Sequence, residues 1–145
     1  MKIALASDHA GFRYKEIIKS YLCNKGFDIV DHGTFSEESA DYPDFIRPAA
    51  LDVAMKFADR AIGVCGSGIG VSIVANKVSG VRAALALNEE MASLSVQHNN
   101  ANFLALSEKF IEENQLLKIV DAWLGAKFEG GRHLRRVNKI ETPEN

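Results

Sequence analysis

The sequence predicts an α/β fold: a single three-layer α/β/α domain, Rossmann-like, with a five-stranded parallel sheet between layers of helices. Three observations predict it. Short apolar runs alternate with helical patterns five times along the chain. The runs are apolar at consecutive positions, which marks strands covered on both faces. A helical segment separates each run from the next, the connection that a parallel pair requires. A chain of 145 residues with 47% hydrophobic and 25% charged content suits one such domain, spanning 1–145.

The elements follow in order. Ile3 to Ala6 is the first strand, bounded by Ser7 and Asp8. Apolar positions 14, 17, 18, 21 and 22 form one helix face, and Gly26 stops that helix. Phe27 to Val30 is the second strand, ending near Gly33, and residues 33–43 read as a loop. Asp44 is a candidate N-cap for a helix running to about Phe57, with Pro48 fitting only in its first turn. Ala61 to Cys65 is the third strand, and a helix using Val71, Val74 and Val78 follows. Val81 to Leu87 is the fourth strand, 89–97 a short helix, and Phe103 to Leu106 the fifth strand. Apolar positions 116, 119, 120, 123 and 124 give the clearest helix; 125–131 is loop-like. A basic segment from Arg132 forms a last short helix, and residues 141–145 are expected to fray.

Composition excludes several function classes. Lys and Arg number 17 against 19 Asp and Glu, for a net charge of -2. That balance lacks the broad basic field of a nucleic-acid or membrane-surface binder. No apolar run approaches the roughly 20 residues of a membrane span. The two cysteines make no disulfide framework. The N-terminal apolar run stops at Asp8-His9, too soon for a signal peptide. A cytoplasmic protein is the expectation.

In parallel sheets ligands bind beyond the carboxyl ends of the strands. Chemistry is therefore sought at 7–9, 31–33, 65–70, 88–89 and 107–109. Gly66, Ser67, Gly68, Ile69 and Gly70 turn from a strand into a helix, presenting backbone N–H groups backed by the helix dipole. Such a turn can cradle a phosphate or an oxyanion, or can serve close packing alone. The spacing is neither G-x-G-x-x-G, despite Glu89 further on, nor a Walker motif. Cys65 directly precedes the turn, where a thiolate is favoured and can act as base or nucleophile; the alternative is a small buried hydrophobe. Cys23, beside Leu22 on a helix, is read as structural. Asp8 and His9 leave the first strand and suit ligand positioning or proton transfer, Asp8 also suiting an N-cap. His98 and Asn99 close the fourth helix, where a histidine also answers the dipole. His32 has no partner in sequence and is left structural. Arg132 and Arg136 share one helix face beside His133 and can grip a phosphate; the alternative is a solvated basic tail. Asp8, His9, Cys65 and His98 lack zinc-type spacing, so neither metal nor cofactor is expected.

Taken together, the chain resembles the type B ribose-5-phosphate isomerases, a family shared with galactose-6-phosphate isomerase subunits. The resemblance rests on Ser-Asp-His-Ala-Gly at 7–11, Asp-Tyr-Pro-Asp at 41–44 and Cys-Gly-Ser-Gly-Ile-Gly at 65–70. Ala-Asn-Lys at 75–77, Arg-Ala-Ala at 82–84, Gln-His-Asn at 97–99 and Gly-Gly-Arg-His at 130–133, with Arg136 beyond, extend it across nearly the whole chain. The resemblance implies a sheet of order 2-1-3-5-4 and a dimer, possibly a tetramer, with sites completed across the interface. It implies Cys65 as the base and His98 as the ring-opening acid. It implies sugar contacts from Asp8, His9 and Tyr42, and an enediolate held by the backbone of residues 66–70, including Ser67. Asn99, Arg132 and Arg136 would bind substrate, the arginines holding its phosphate. Lys109 stands where the family commonly has a substrate-contacting Arg; it keeps the charge and loses the planar fork. The implied reaction interconverts D-ribose 5-phosphate and D-ribulose 5-phosphate. Alternatives are a phosphohexose isomerase acting on galactose or allose 6-phosphate, a non-catalytic sugar-phosphate-binding domain, and a nucleotide-binding redox or transferase domain.

Overall fold

The computed structural model describes residues 1–141. Strands β1 (Lys2–Ser7), β2 (Asp28–Asp31), β3 (Arg60–Cys65), β4 (Ala83–Leu85) and β5 (Phe103–Ser107) pair in parallel. Their order is β2-β1-β3-β5-β4, as the resemblance implied. The helices are α1 (Phe12–Asn24), α2 (Tyr42–Ala54), α3 (Ile69–Asn76), α4 (Glu89–Asn99), α5 (Glu113–Gly125) and α6 (Arg132–Val137).

The two faces of the sheet are packed differently. On one, Ile3, Leu5, Ile62 and Leu104 meet Ile18 and Leu22 of α1, Val96 of α4 and Leu116, Ile119 and Trp123 of α5, all buried. On the other, small residues line the strands: Ala4, Ala6, Ala61 and Ala105 face Ala49 and Ala50 of α2 and Ala75 of α3. Small side chains let these helices lie close. Gly63 marks the limit, since a Cβ there would sit 2.7 Å from the Val71 side chain.

Several element ends depart from the sequence reading, each for a local reason. Helix α2 begins at Tyr42 with Asp41, not Asp44, at its N-cap, and Pro43 lies in the first turn, where a missing N–H costs nothing. Pro48 is inside the helix and deprives the Asp44 carbonyl of a partner. The helix stops before Phe57 because Lys56 takes φ 64°, with Lys56 N–H donating to Val53 and Phe57 N–H to Asp52 at 3.2 and 2.8 Å. That is a Schellman ending built on lysine rather than glycine. Helix α4 likewise runs on to Asn99 and ends at Asn100, φ 49°. Strand β4 is shorter than 81–87. The N–H groups of Arg82 and Ala83 are taken by the side-chain amides of Asn102 (2.7 Å) and Asn76 (2.8 Å), and Asn88 leaves the strand to cap α4 through Met91 N–H at 2.8 Å. Glu141, read as the start of a frayed tail, accepts from Gly80 N–H at 2.6 Å; the rest of that tail lies outside the described residues. No helix among the described residues is long and apolar enough to cross a membrane.

Candidate active site

The ladder fixes which residues share an edge. Ser7 pairs with Val64 and Cys65 with Ser107, so Asp8, Cys65 and Glu108 leave the sheet side by side. Backbone bonds weld these exits together: Asp8 N–H to Val64 at 3.3 Å, Glu108 N–H to Cys65 at 3.0 Å, Lys109 N–H to Gly66 at 2.9 Å. Close approach requires glycine twice. A Cβ on Gly11 would lie 2.4 Å from the Val64 carbonyl oxygen, and one on Gly68, at φ 75°, would lie 2.5 Å from the Leu85 side chain.

Cys65 is buried at 4% exposure, and its Sγ accepts from Gly68 N–H at 3.2 Å. Ile69 N–H donates to Ser67 Oγ at 3.2 Å. Two donors of the turn are thus engaged within it, while Ser67, Gly70 and Val71 N–H have no partner among the described residues. These three open donors sit at the start of α3, whose dipole favours negative charge. Ser107 holds the turn from below: its Oγ donates to the Gly66 carbonyl at 2.7 Å and accepts from Phe110 N–H at 2.9 Å. The sequence reading bracketed Ser107 only as a strand exit. Its anchoring role depends on the Gly66 carbonyl at the end of a neighbouring strand, 41 residues earlier, which no local pattern signals.

The nearby polar groups are fixed as well. Asp8 Oδ1 accepts from Gly11 N–H at 3.0 Å, which ties one carboxylate oxygen to the turn before α1; Gly11, not Asp8, is that helix's N-cap. His9 Nδ1 lies 3.1 Å from the Ala40 N and 3.3 Å from the Ala40 carbonyl oxygen, so residue 40 holds that edge of the ring in place. The Tyr42 ring lies over Gly70, where a Cβ would meet its Cζ at 2.7 Å. Lys109 is exposed at the same edge. The β2 exit, in contrast, is occupied structurally. Lys15, 1% exposed, places Nζ 2.7 and 2.9 Å from the Asp31 oxygens. Burial would raise the Asp31 carboxyl, but hydrogen bonds from Lys15, Gly33 N–H and Lys19 outweigh it and hold it below the ordinary carboxylate range. His32, left without a partner in the sequence reading, bonds Asp52 at 2.6 Å. Cys23, read there as structural, is exposed.

The remaining candidates lie at the other end of the sheet. His98 and Asn99 end α4, which precedes β5; Asn102 accepts from Ala61 N–H at 3.0 Å where β3 begins. From Ala61 to Cys65 the strand advances about 13 Å at about 3.3 Å per residue. His98 and Cys65 of one chain therefore face opposite ends of the sheet. Arg132 and Arg136 go with His98: α6 packs on α4, and the His98 and His133 rings stack with centroids 4.3 Å apart and planes 9° apart. Both arginines are exposed and pair with no acid among the described residues. Glu129 reaches the same group, 3.6 Å from His133 Nε2 and 4.0 Å from His98 Nε2. Burial, then the charges of His98 and Arg132, push His133 below the ordinary histidine range. So Asp8, His9, Tyr42, Cys65, residues 66–70 and Lys109 gather at one edge, and His98, Asn99, Arg132 and Arg136 at the other.

Comparison with known proteins gives one family. The sequence model of the Ribose/Galactose Isomerase family matches residues 3–140. Ribose-5-phosphate isomerase B of Escherichia coli is 44% identical over 143 residues, covering 99% of this chain and 96% of that protein. The structure of Clostridium thermocellum ribose-5-phosphate isomerase B superposes with a TM-score of 0.95 at 48% identity, over 97% of this chain and 95% of that one. Ribose-5-phosphate isomerase B of Mycoplasma genitalium, solved with bound ribulose-5-phosphate, gives a TM-score of 0.92 at 47% identity, over 96% and 93%.

Proposed function

This chain belongs to the ribose/galactose isomerase family, and we propose that its own reaction interconverts D-ribose 5-phosphate and D-ribulose 5-phosphate. It is an aldose–ketose isomerase, and no metal or cofactor is assigned a step. The observation that carries the reading is a buried thiol at the mouth of a turn with three open N–H donors, in a chain 47% identical to a protein solved with ribulose-5-phosphate.

The steps follow from the groups. His98 gives a proton to the ring oxygen while the C1 hydroxyl gives one to water, from which His98 is reprotonated; the C1–ring-oxygen bond breaks as the C1=O1 bond forms, which opens the sugar to the aldehyde. Cys65 takes the proton from C2, and the C–H electron pair becomes the C1–C2 double bond as charge moves to O1. The N–H groups of Ser67, Gly70 and Val71, with the Ser67 hydroxyl beside them, meet that charge without rearrangement. Cys65 returns its proton to C1 while the O2 proton passes to O1; the C1–C2 π pair forms the new C1–H bond, the O2–H pair forms the C2=O bond, and the ketose is left. Asp8, His9 and Tyr42 orient the hydroxyls, Asn99 and Lys109 add polar contacts, and Arg132 and Arg136 hold the phosphate.

One chain does not bring these groups together, so we propose a homodimer in which each site takes its strand-end half from one copy and its helix-end half from the other. Supporting this, α3 exposes Ile69 (52%) and Ile73 (55%) one turn apart, and α4 exposes Met91 (40%) and Leu94 (37%). The Ile69 and Ile73 pair, one turn apart beside the glycine turn, is an exposed apolar patch of the kind that marks an association face. The same reading places the enzyme in the cytoplasm, where Cys23 and Cys65 stay reduced.

Incubation with ribose 5-phosphate, galactose 6-phosphate and allose 6-phosphate, with ketose assayed, tests the reaction. The pentose phosphate is expected to give the largest kcat/KM. A larger value for a hexose phosphate, or no ketose from any sugar, would overturn the assignment.

A further inference from the structure

The helix-end half holds a donor set of which the isomerisation uses only His98. His98, Glu129 and His133 each bring one ligand-type atom to a point where all three lie within 4.8 Å of one another. This is the one such trio among the described residues. Glu129 comes from the loop before α6, yet its N–H donates to the Gln97 carbonyl at 3.0 Å, which ties its loop to the residue before His98.

We propose that His98, Glu129 and His133 form a binding site for Zn²⁺ or a similar borderline divalent ion, and that the ion inhibits the enzyme. Two imidazoles and a carboxylate are a zinc donor set, with the fourth tetrahedral position left to water. Zinc bonds of about 2.0–2.2 Å hold ligand atoms about 3.3–3.5 Å apart. The carboxylate-to-imidazole separations of 3.6 and 4.0 Å already approach that. One movement is required. Stacked rings cannot both aim a lone pair at one ion, so His98, 38% exposed, tilts off His133, 10% exposed. Arg132 and Arg136 nearby oppose a cation, which makes Glu129 the ligand whose loss matters most. The inhibitory effect rests on His98 being the ring-opening acid; the binding does not.

Cobalt reports on both halves. Reduced full-length protein is titrated with Co²⁺, then Zn²⁺, and the visible cobalt bands are followed. One ion per chain is expected, with no thiolate-to-cobalt charge-transfer band. Binding should persist in Cys65→Ser and weaken at least tenfold in Glu129→Ala and in His133→Asn. Cobalt bands with thiolate character that vanish in Cys65→Ser, or unchanged affinity in Glu129→Ala, would overturn the site. In the assay Zn²⁺ should inhibit wild type, while Glu129→Ala keeps its zinc-free rate and needs at least tenfold more Zn²⁺ for half inhibition. Site-specific binding that leaves the rate untouched would overturn the inhibitory claim and separate it from the site itself.

Discussion

The two halves of the candidate site are built on opposite plans. At the strand ends, backbone is pressed against backbone. Asp8 is 8% and Cys65 4% exposed, and Gly11 and Gly68 have no room for a methyl group. At the helix ends, Asn99, Arg132 and Arg136 stand in solvent, and no atom lies within 4 Å of where a Cβ on Gly130 or Gly131 would sit. The contrast matches the chemistry each half is proposed to perform. Proton abstraction from carbon needs a thiol and N–H donors held still in a dry setting, because misplacement by a fraction of an ångström raises the barrier. A phosphate grip and a ring-opening acid tolerate an exposed setting, which the partner surface of the proposed dimer would cover.

The largest effect should come from the buried half. Cys65→Ala is expected to lower kcat by about 10²–10⁴-fold, the usual worth of a positioned acid or base, while circular dichroism shows the fold intact. A wild-type rate in that folded variant would remove Cys65 from the mechanism. On the exposed half the effect should move to binding. Arg132→Ala or Arg136→Ala should raise KM about 10- to 150-fold, which is about 1.5–3 kcal/mol for a charge-assisted contact, and change kcat less. The double variant should discriminate little between phosphorylated and free sugar. Discrimination equal to wild type would return these residues to a solvated basic tail.

A stability comparison sharpens the same contrast. Gly11→Ala forces a Cβ to within 2.4 Å of the Val64 oxygen, and overpacking there should cost about 1–3 kcal/mol or more. Gly130→Ala meets no atom within 4 Å and carries only the strain of φ +66°, of order 1 kcal/mol. Denaturant midpoints of the two variants measure the difference, and equal losses would mean that the strand-end half is not the tighter one. The smallest effect concerns pH. His133 is held below its ordinary value of 6.5, so the unfolded chain binds its proton more readily. Its contribution to stability is present above about pH 6.5 and is lost as pH falls below that. Urea titrations between about pH 7.5 and pH 5.5 should show a shallower decline for His133→Asn than for wild type, and parallel declines would count against it.

Much of this was legible in the sequence where one residue type determines one local outcome. Consecutive apolar runs marked the strands, and the parallel-sheet rule pointed to Cys65 and Asp8 before any contact was known. The boundaries that differed turn on positive-φ residues other than glycine, Lys56 and Asn100, and on side-chain amides of Asn76 and Asn102 that replace ladder bonds. Neither leaves a periodic signal. His133 and Glu129 were beyond reach for another reason: α5 separates them from His98 in the chain, and only its packing returns them. Spacing offered Arg132 and Arg136 as a phosphate grip and put His98 at a helix end, and the family resemblance implied the acid role of His98. Periodicity alone placed them on a helix end and carried no sign of the proposed second copy.

Subunit complementation tests the shared site most directly. Cys65→Ala and His98→Asn chains, each inactive alone, are mixed, dissociated and reassociated. In a mixed dimer with the site shared, one site carries both substitutions and the other carries neither. Random pairing should then restore about a quarter of wild-type activity. A site contained within one chain predicts no recovery at any mixing ratio, and that result would contradict the shared site.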